Sequence, residues 1–230
     1  METVVLDGIQ ARLPREELMR KLHVGEDSPQ AVELLELIDQ AEAIGRPKGL
    51  CGVAFVDDRG DDFVVIDGER FSSRVLAVNL SPVNRVFPYL ATCGTELEEW
   101  ANGLDDMLLR YWAEAIRESA MRCAMAETER FVKESYAQDE TSRMSPGSLE
   151  DWPIQQQVPL FRLLGETEST IGVRLTESLL MVPTKTVSGI RFGAESGFES
   201  CMLCPRPVCQ NRRAPYDAAL FDSRYRKSAD

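Results

Sequence analysis

Gly172-Val-Arg-Leu-Thr-Glu-Ser-Leu-Leu-Met-Val-Pro183 runs almost directly into Thr186-Val-Ser-Gly-Ile-Arg-Phe192. Residues 172–175 and 186–192 are short apolar runs that read as strands. They come after a long helical stretch, and that order limits the fold. Residues 95–136 repeat apolar side chains at helical spacing, with Leu108, Trp112, Ala115, Ile116, Ala120 and Cys123 predicted on the core face. Thr95 with Glu98 makes a capping box, and Gly103 separates a short helix from a long one starting near Asp105. Between the long helix and the last strands lie a Ser/Pro/Gly-rich loop at 142–153 and a short helix at 159–164, closed by Gly165.

Further upstream, residues 50–56, 63–66 and 74–79 read as neighbouring antiparallel strands, with an acidic turn at 57–61. Residues 86–92 read as another strand, which Pro88 marks as an edge or an irregularity. The first residues are helical: one helix at 14–22, and one capped by Ser28 with Pro29 in its first position, ended by Gly45. Strands, then a long helix, then strands predict an α+β fold, with a largely antiparallel central sheet and flanking helices. One structural unit is expected in three parts: a helical segment at 1–47, an α+β core at 48–195 and a cysteine-rich tail at 196–230.

Composition excludes several function classes. The net charge of −12 argues against a nucleic-acid binder, because phosphate contacts need a basic surface. His23 is the only histidine, which argues against Ser-His-Asp and Cys-His hydrolases and against multi-histidine metal sites. No stretch is apolar enough to span a bilayer, and the first residues lack the basic start and apolar run of a secretory signal, so a cytoplasmic protein without membrane contact is expected.

Two places carry chemistry. The first is Arg143-Met-Ser-Pro-Gly147, followed by Asp151. An arginine beside a Pro-Gly turn offers a bidentate fork to a carboxylate, and the turn brings backbone groups against a flat ligand; the same residues also suit an ordinary surface loop. The second is Cys201-Met-Leu-Cys204-Pro-Arg-Pro-Val-Cys209. Thiols so closely spaced suit one metal or one cluster edge, and Arg206, Arg212 and Arg213 would offset thiolate charge. With Cys93 as fourth ligand the set would hold an iron–sulfur cluster, or zinc as the alternative. Cys51 and Cys123 read as buried apolar residues.

Arg143-Met-Ser-Pro-Gly147-Ser-Leu-Glu-Asp-Trp-Pro resembles the adenosylmethionine-binding loop of the reactivation domain of cobalamin-dependent methionine synthase. The run from Gly172 to Gly189 is similar to that family's "LTES…M.P…SVSG" segment, and this order and spacing are more specific than the arginine loop. Gly49-Leu-Cys-Gly-Val, the turn at Gly60-Asp-Asp, Ala77-Val-Asn79, Ala91-Thr-Cys-Gly94 and Asp105-Asp106 extend the resemblance to residues 48–192.

The resemblance implies a C-shaped domain with an S-adenosylmethionine site on its inner face. It also implies docking on a separate corrinoid partner, methionine synthase or a related methyltransferase, whose inactive cob(II) form is reductively remethylated. Arg143 would clamp the methionine carboxylate, and the main chain at Ser145, Gly147 and Ser148 would contact the nucleoside. Glu118 or Glu114 on the long helix would hold the amino group. Glu177 matches a family glutamate and serves either the ligand or the adjacent strands. Ser148 replaces the family's tyrosine, and residues 1–47 have no match to the family's N-terminal extension. Because reactivation needs an electron, iron–sulfur is expected ahead of zinc, with a reduced ferredoxin or flavodoxin as donor. The alternative is a non-catalytic partner or electron-carrier subunit of a corrinoid methyltransferase that no longer binds adenosylmethionine.

Overall fold

The structure, a computed structural model, describes residues 1–136, 140–193, 197–209 and 211–226. In chain order the elements are β1 (Thr3–Leu6), α1 (Arg15–Lys21), α2 (Pro29–Ile44), β2 (Lys48–Gly52), β3 (Ala54–Arg59), β4 (Phe63–Ile66), β5 (Glu69–Ser72) and α3 (Arg74–Asn79). They continue with β6 (Arg85–Thr92), α4 (Thr95–Asn102), α5 (Met107–Ser135), β7 (Thr141–Met144), α6 (Gln157–Leu164), α7 (Thr167–Ile171), β8 (Arg174–Leu175), β9 (Met181–Val182) and β10 (Thr186–Gly193).

The α+β fold is as expected. β6 is the hub of an eight-stranded sheet whose strands pair antiparallel, with β10 on one flank and β2 and β3 in succession on the other. β1 extends the sheet beyond β2, β4 and β5 extend it beyond β3, and β7 pairs the outer side of β10. β8 and β9 form a separate two-stranded ribbon.

Of the two alternatives for Pro88, an edge or an irregularity, the structure shows the second: Pro88 is on the central strand, beside a break in the ladder. It stands opposite Ile190 of β10, and on its other flank it meets the junction where β2 ends at Gly52 and β3 begins at Ala54. The ladder is already interrupted on that flank, so a missing N–H is tolerated there.

Local physics explains the departures. Residues 74–79 form helix α3 and not a strand. The Ser73 hydroxyl accepts from the Leu76 N–H, and the Asp151 carboxylate accepts from the N–H groups of Arg74 and Val75 at 3.2 and 2.9 Å and from the Ser73 hydroxyl. Orphan N–H groups satisfied from a distant loop override the strand-like alternation. The Thr95–Glu98 capping box does not form: Gly94 is the N-cap of α4, at φ +93°, and Glu98 bonds Arg117 of α5. The long helix is capped by Asp106, which accepts from the N–H groups of Leu108 and Leu109 at 2.7 and 3.1 Å. Leu108, predicted in the core, is exposed, whereas Trp112, Ile116 and Ala120 are buried.

The sheet separates two cores. On one face Phe71, Leu76, Trp152, Leu160 and Phe192 pack with α3, α6 and the tail residues Phe198 and Tyr225. On the other, α5 crosses β2 and β6, and its Trp112 and Ile116 join Leu34 and Ile38 of α2 and Leu97 of α4. Burying such side chains contributes about 1.5–3 kcal/mol each. No helix among the described residues is long and apolar enough to cross a membrane.

Candidate functional site

The site is decided by the alternation of β7. Ser142 and Met144 are buried, and Met144 joins the core beside α3. Arg143 lies between them and points the other way, toward α5. Its Nη1 donates to Met125 Sδ at 3.1 Å and lies 4.0 Å from Glu129 Oε2. In the antiparallel register Arg143 stands directly opposite Arg191 of β10, which places both guanidiniums on the same face. Arg191 is 2 % exposed; its Nη2 donates to Glu129 Oε2 at 2.7 Å, and its guanidinium lies 5.4 Å from the Tyr89 ring centroid.

Glu129 is thus one carboxylate between two arginines. Burial raises its pKa, but the charge and hydrogen bond of Arg191, with Arg143 and Lys133, outweigh burial and hold it below the usual range. Burial depresses the proton affinity of Arg143, and the charges of Arg213 and Arg191 add to that. Tyr89 and Glu129 act in the opposite direction without reversing it.

Polar groups without partners mark the same place. Among the described residues, Arg191 Nε and the Tyr89 hydroxyl are buried and make no hydrogen bond. Gly189 lets these groups approach closely: a Cβ there would meet Tyr89 Oη and Ser145 Oγ at 2.9 Å each, and the Met144 carbonyl. The turn that follows is held from within. Gly147 has φ +81°, which glycine adopts without strain, and its N–H donates to the Trp152 carbonyl at 2.7 Å. Ser148 donates through N–H and hydroxyl to the Ser145 carbonyl, at 3.1 and 2.6 Å.

The sequence-predicted residues divide accordingly. Arg143, Ser145, Gly147 and Ser148 belong to one strand and turn beside Tyr89 and Gly189. Glu118 and Glu114 are committed elsewhere. Glu118 pairs with Lys21 at 2.7 Å and Arg122 at 2.8 Å, and Glu114 pairs with Arg117 and with Lys185 at 2.8 Å. Glu129 faces Arg143 instead. It lies about three helical turns after Glu118 on the same face of α5. Glu177 is exposed in the turn between β8 and β9. Asp151 caps α3 and holds the loop.

The expected four-thiol metal site is not formed, and this corrects the sequence reading. Cys93 lies at the end of β6, fully buried in the core of α2, α4 and α5, and burial pushes its thiol up to about 12. Cys201, Cys204 and Cys209 are partly exposed in the tail. Among the described residues no three His, Cys, Asp or Glu side chains are arranged to hold a metal ion.

Comparison with known proteins bears on this site. Residues 100–199 match the family described as "Vitamin B12 dependent methionine synthase, activation domain". No curated protein matches the chain. Among solved structures, the MetH reactivation domain bound to AdoHcy matches with a TM-score of 0.64 at 17 % identity, covering 86 % of this chain and 80 % of that one. The family match takes in α5, the Arg143 turn and β10, while the segments quoted from Gly49 to Gly94 lie outside it. By family over residues 100–199, and by fold over most of its length, the chain is similar to the activation domain of vitamin B12 dependent methionine synthase.

Proposed function

We propose that the chain binds S-adenosylmethionine at the Arg143 turn and presents its methyl group to a corrinoid held by a separate methionine synthase or related methyltransferase, in the cytoplasm. The observation that carries this reading is the cross-strand pair of Arg143 and Arg191 with Glu129 between them. Such an array meets both charges of an amino-acid end: the Arg143 fork takes the carboxylate, and Glu129 takes the ammonium group. Gly189, the Tyr89 hydroxyl and the Ser145 turn come together next to this array, and the nucleoside would lie along them. The residues present fit the ligand, because orphaned buried polar groups sit beside an arginine whose carboxylate partner is 4.0 Å away.

Bound adenosylmethionine would supply an electrophilic methyl group, which a partner's corrinoid, once reduced by one electron from a ferredoxin- or flavodoxin-class donor, would accept, the carbon–sulfur bond pair staying on the sulfur of adenosylhomocysteine. This chain's residues contribute position. Fixing the amino-acid end on β7 and α5 fixes where the sulfonium points, and orientation of that kind lowers barriers without any proton transfer from the protein.

Calorimetric titration with adenosylmethionine and adenosylhomocysteine tests the binding step, with Arg143→Ala as the control. Micromolar-range binding that the variant loses supports the reading, and binding that the variant keeps overturns it. Remethylation of a cob(II) partner protein with adenosylmethionine and reductant tests the second step; a partner left unmethylated sinks it.

A further inference from the structure

The tail beyond residue 199 lies outside the family match, yet it is built against the Arg143 strand. It is anchored at both ends. Phe198 and Tyr225 are buried with ring centroids 6.1 Å apart, and the Tyr225 hydroxyl donates to Asn79 Oδ1 at 2.9 Å. Glu199 forms a parallel bridge to Arg143, so the tail runs along the free edge of β7. Arg212 ties the loop together by donating to the carbonyls of Cys201 at 3.1 Å, Cys204 at 3.3 Å, Ala214 at 3.4 Å and Arg206. The next residue, Arg213, pairs through Nη2 with Glu199 Oε2 at 2.7 Å, while its N–H lies 3.5 Å from Cys201 Sγ. Its charge reaches Arg143 and disfavours protonation there.

We propose that Arg213 is a ligand-positioning residue: the tail is the second jaw of the site, and Arg213 exchanges Glu199 for the carboxylate that Arg143 clamps. The proposal rests on the reading that the Arg143 turn takes an amino-acid carboxylate. In the free protein Glu199 is an internal stand-in for that carboxylate. A ligand carboxylate arriving at Arg143 relieves the repulsion between the two arginines and offers Arg213 a second partner at the same edge. The tail then discriminates adenosyl ligands that keep their amino-acid end from those that lack it.

The test uses the whole chain and two probes, adenosylhomocysteine and methylthioadenosine, which keeps the nucleoside and thioether but has no carboxylate. Arg213→Ala is expected to weaken adenosylhomocysteine about tenfold or more and to leave methylthioadenosine unchanged. Arg213→Lys recovers part of the loss, and Glu199→Gln, which frees Arg213, tightens adenosylhomocysteine. If Arg213→Ala weakens both probes equally, the residue only folds the tail and the proposal is overturned. If Arg143→Ala loses adenosylhomocysteine while Arg213→Ala binds as the wild type does, the proposal fails and the reading of the turn stands. If the wild type binds no adenosylhomocysteine, both fail.

Discussion

Arg143 on β7 and Arg191 on β10 are direct cross-strand partners, two like charges on one face of the sheet. Like charges directly opposite one another destabilise a ladder, and Glu129 neutralises only one of the two at close range. The two arginines therefore have opposite expected effects. Arg191→Met leaves Glu129 without its close partner and destabilises by about 1–3 kcal/mol. Arg143→Met removes repulsion and leaves the midpoint of unfolding unchanged or higher, while adenosylhomocysteine binding is lost. Urea denaturation of both variants checks the pair, and a large loss of stability in Arg143→Met would show that the arginine is structural.

Acid is expected to weaken the ion pairs along α5. Glu114, Glu118 and Glu129 all have pKa values lowered from 4.5, because cationic partners outweigh burial. A depressed native value means that the unfolded chain binds protons first. The stabilisation is complete above 4.5 and is lost as pH falls from there through the native values. Glu129→Gln should flatten the fall in thermal midpoint below pH 4.5 relative to the wild type. An unchanged slope would remove Glu129 from the set.

Asp151 links the ligand turn to a distant helix. Its carboxylate accepts from Ser73, Arg74 and Val75 at the start of α3. Asp151→Ala should cost about 1–2 kcal/mol, as the loss of an N-cap does. It should also weaken ligand binding through the loosened turn, so calorimetry and thermal unfolding should move together. Weaker binding with unchanged stability would mean that Asp151 touches the ligand.

The cysteines should react in a fixed order. Partial burial raises the Cys201 pKa, but N–H groups of Arg213 and Ala214 and the Arg213 charge outweigh it, so its thiol lies below the usual value. Burial lifts Cys51 to about 11 and Cys93 to about 12. Timed alkylation near pH 8 with mass spectrometry should label Cys201 well before Cys51 and Cys93, which react after unfolding. Early labelling of Cys93 in the native protein would contradict its place in the core.

Local sequence settled what is local. The 3.6-residue spacing of Trp112, Ile116 and Ala120 gives α5, Gly103 and Gly165 end helices, and the run into Phe192 gives β10, because each depends on neighbours within a few residues. The Arg143 turn was legible as a binding candidate for the same reason: arginine, proline and glycine each have a fixed local consequence. What the chain brings together over long separations was not legible. Residues 74–79 alternate like a strand, but Asp151, contributed by the Arg143 loop, caps them into a helix. Cys93 is in a turn-like sequence, yet the packing of α2, α4 and α5 encloses it. Glu118 and Glu129 share a face of α5, and only the register of β7 against β10 decides which of them meets Arg143. Periodicity fixes the stripe a side chain belongs to; the tertiary contacts fix its height along that stripe, and the charge pairing of the site depends on that height.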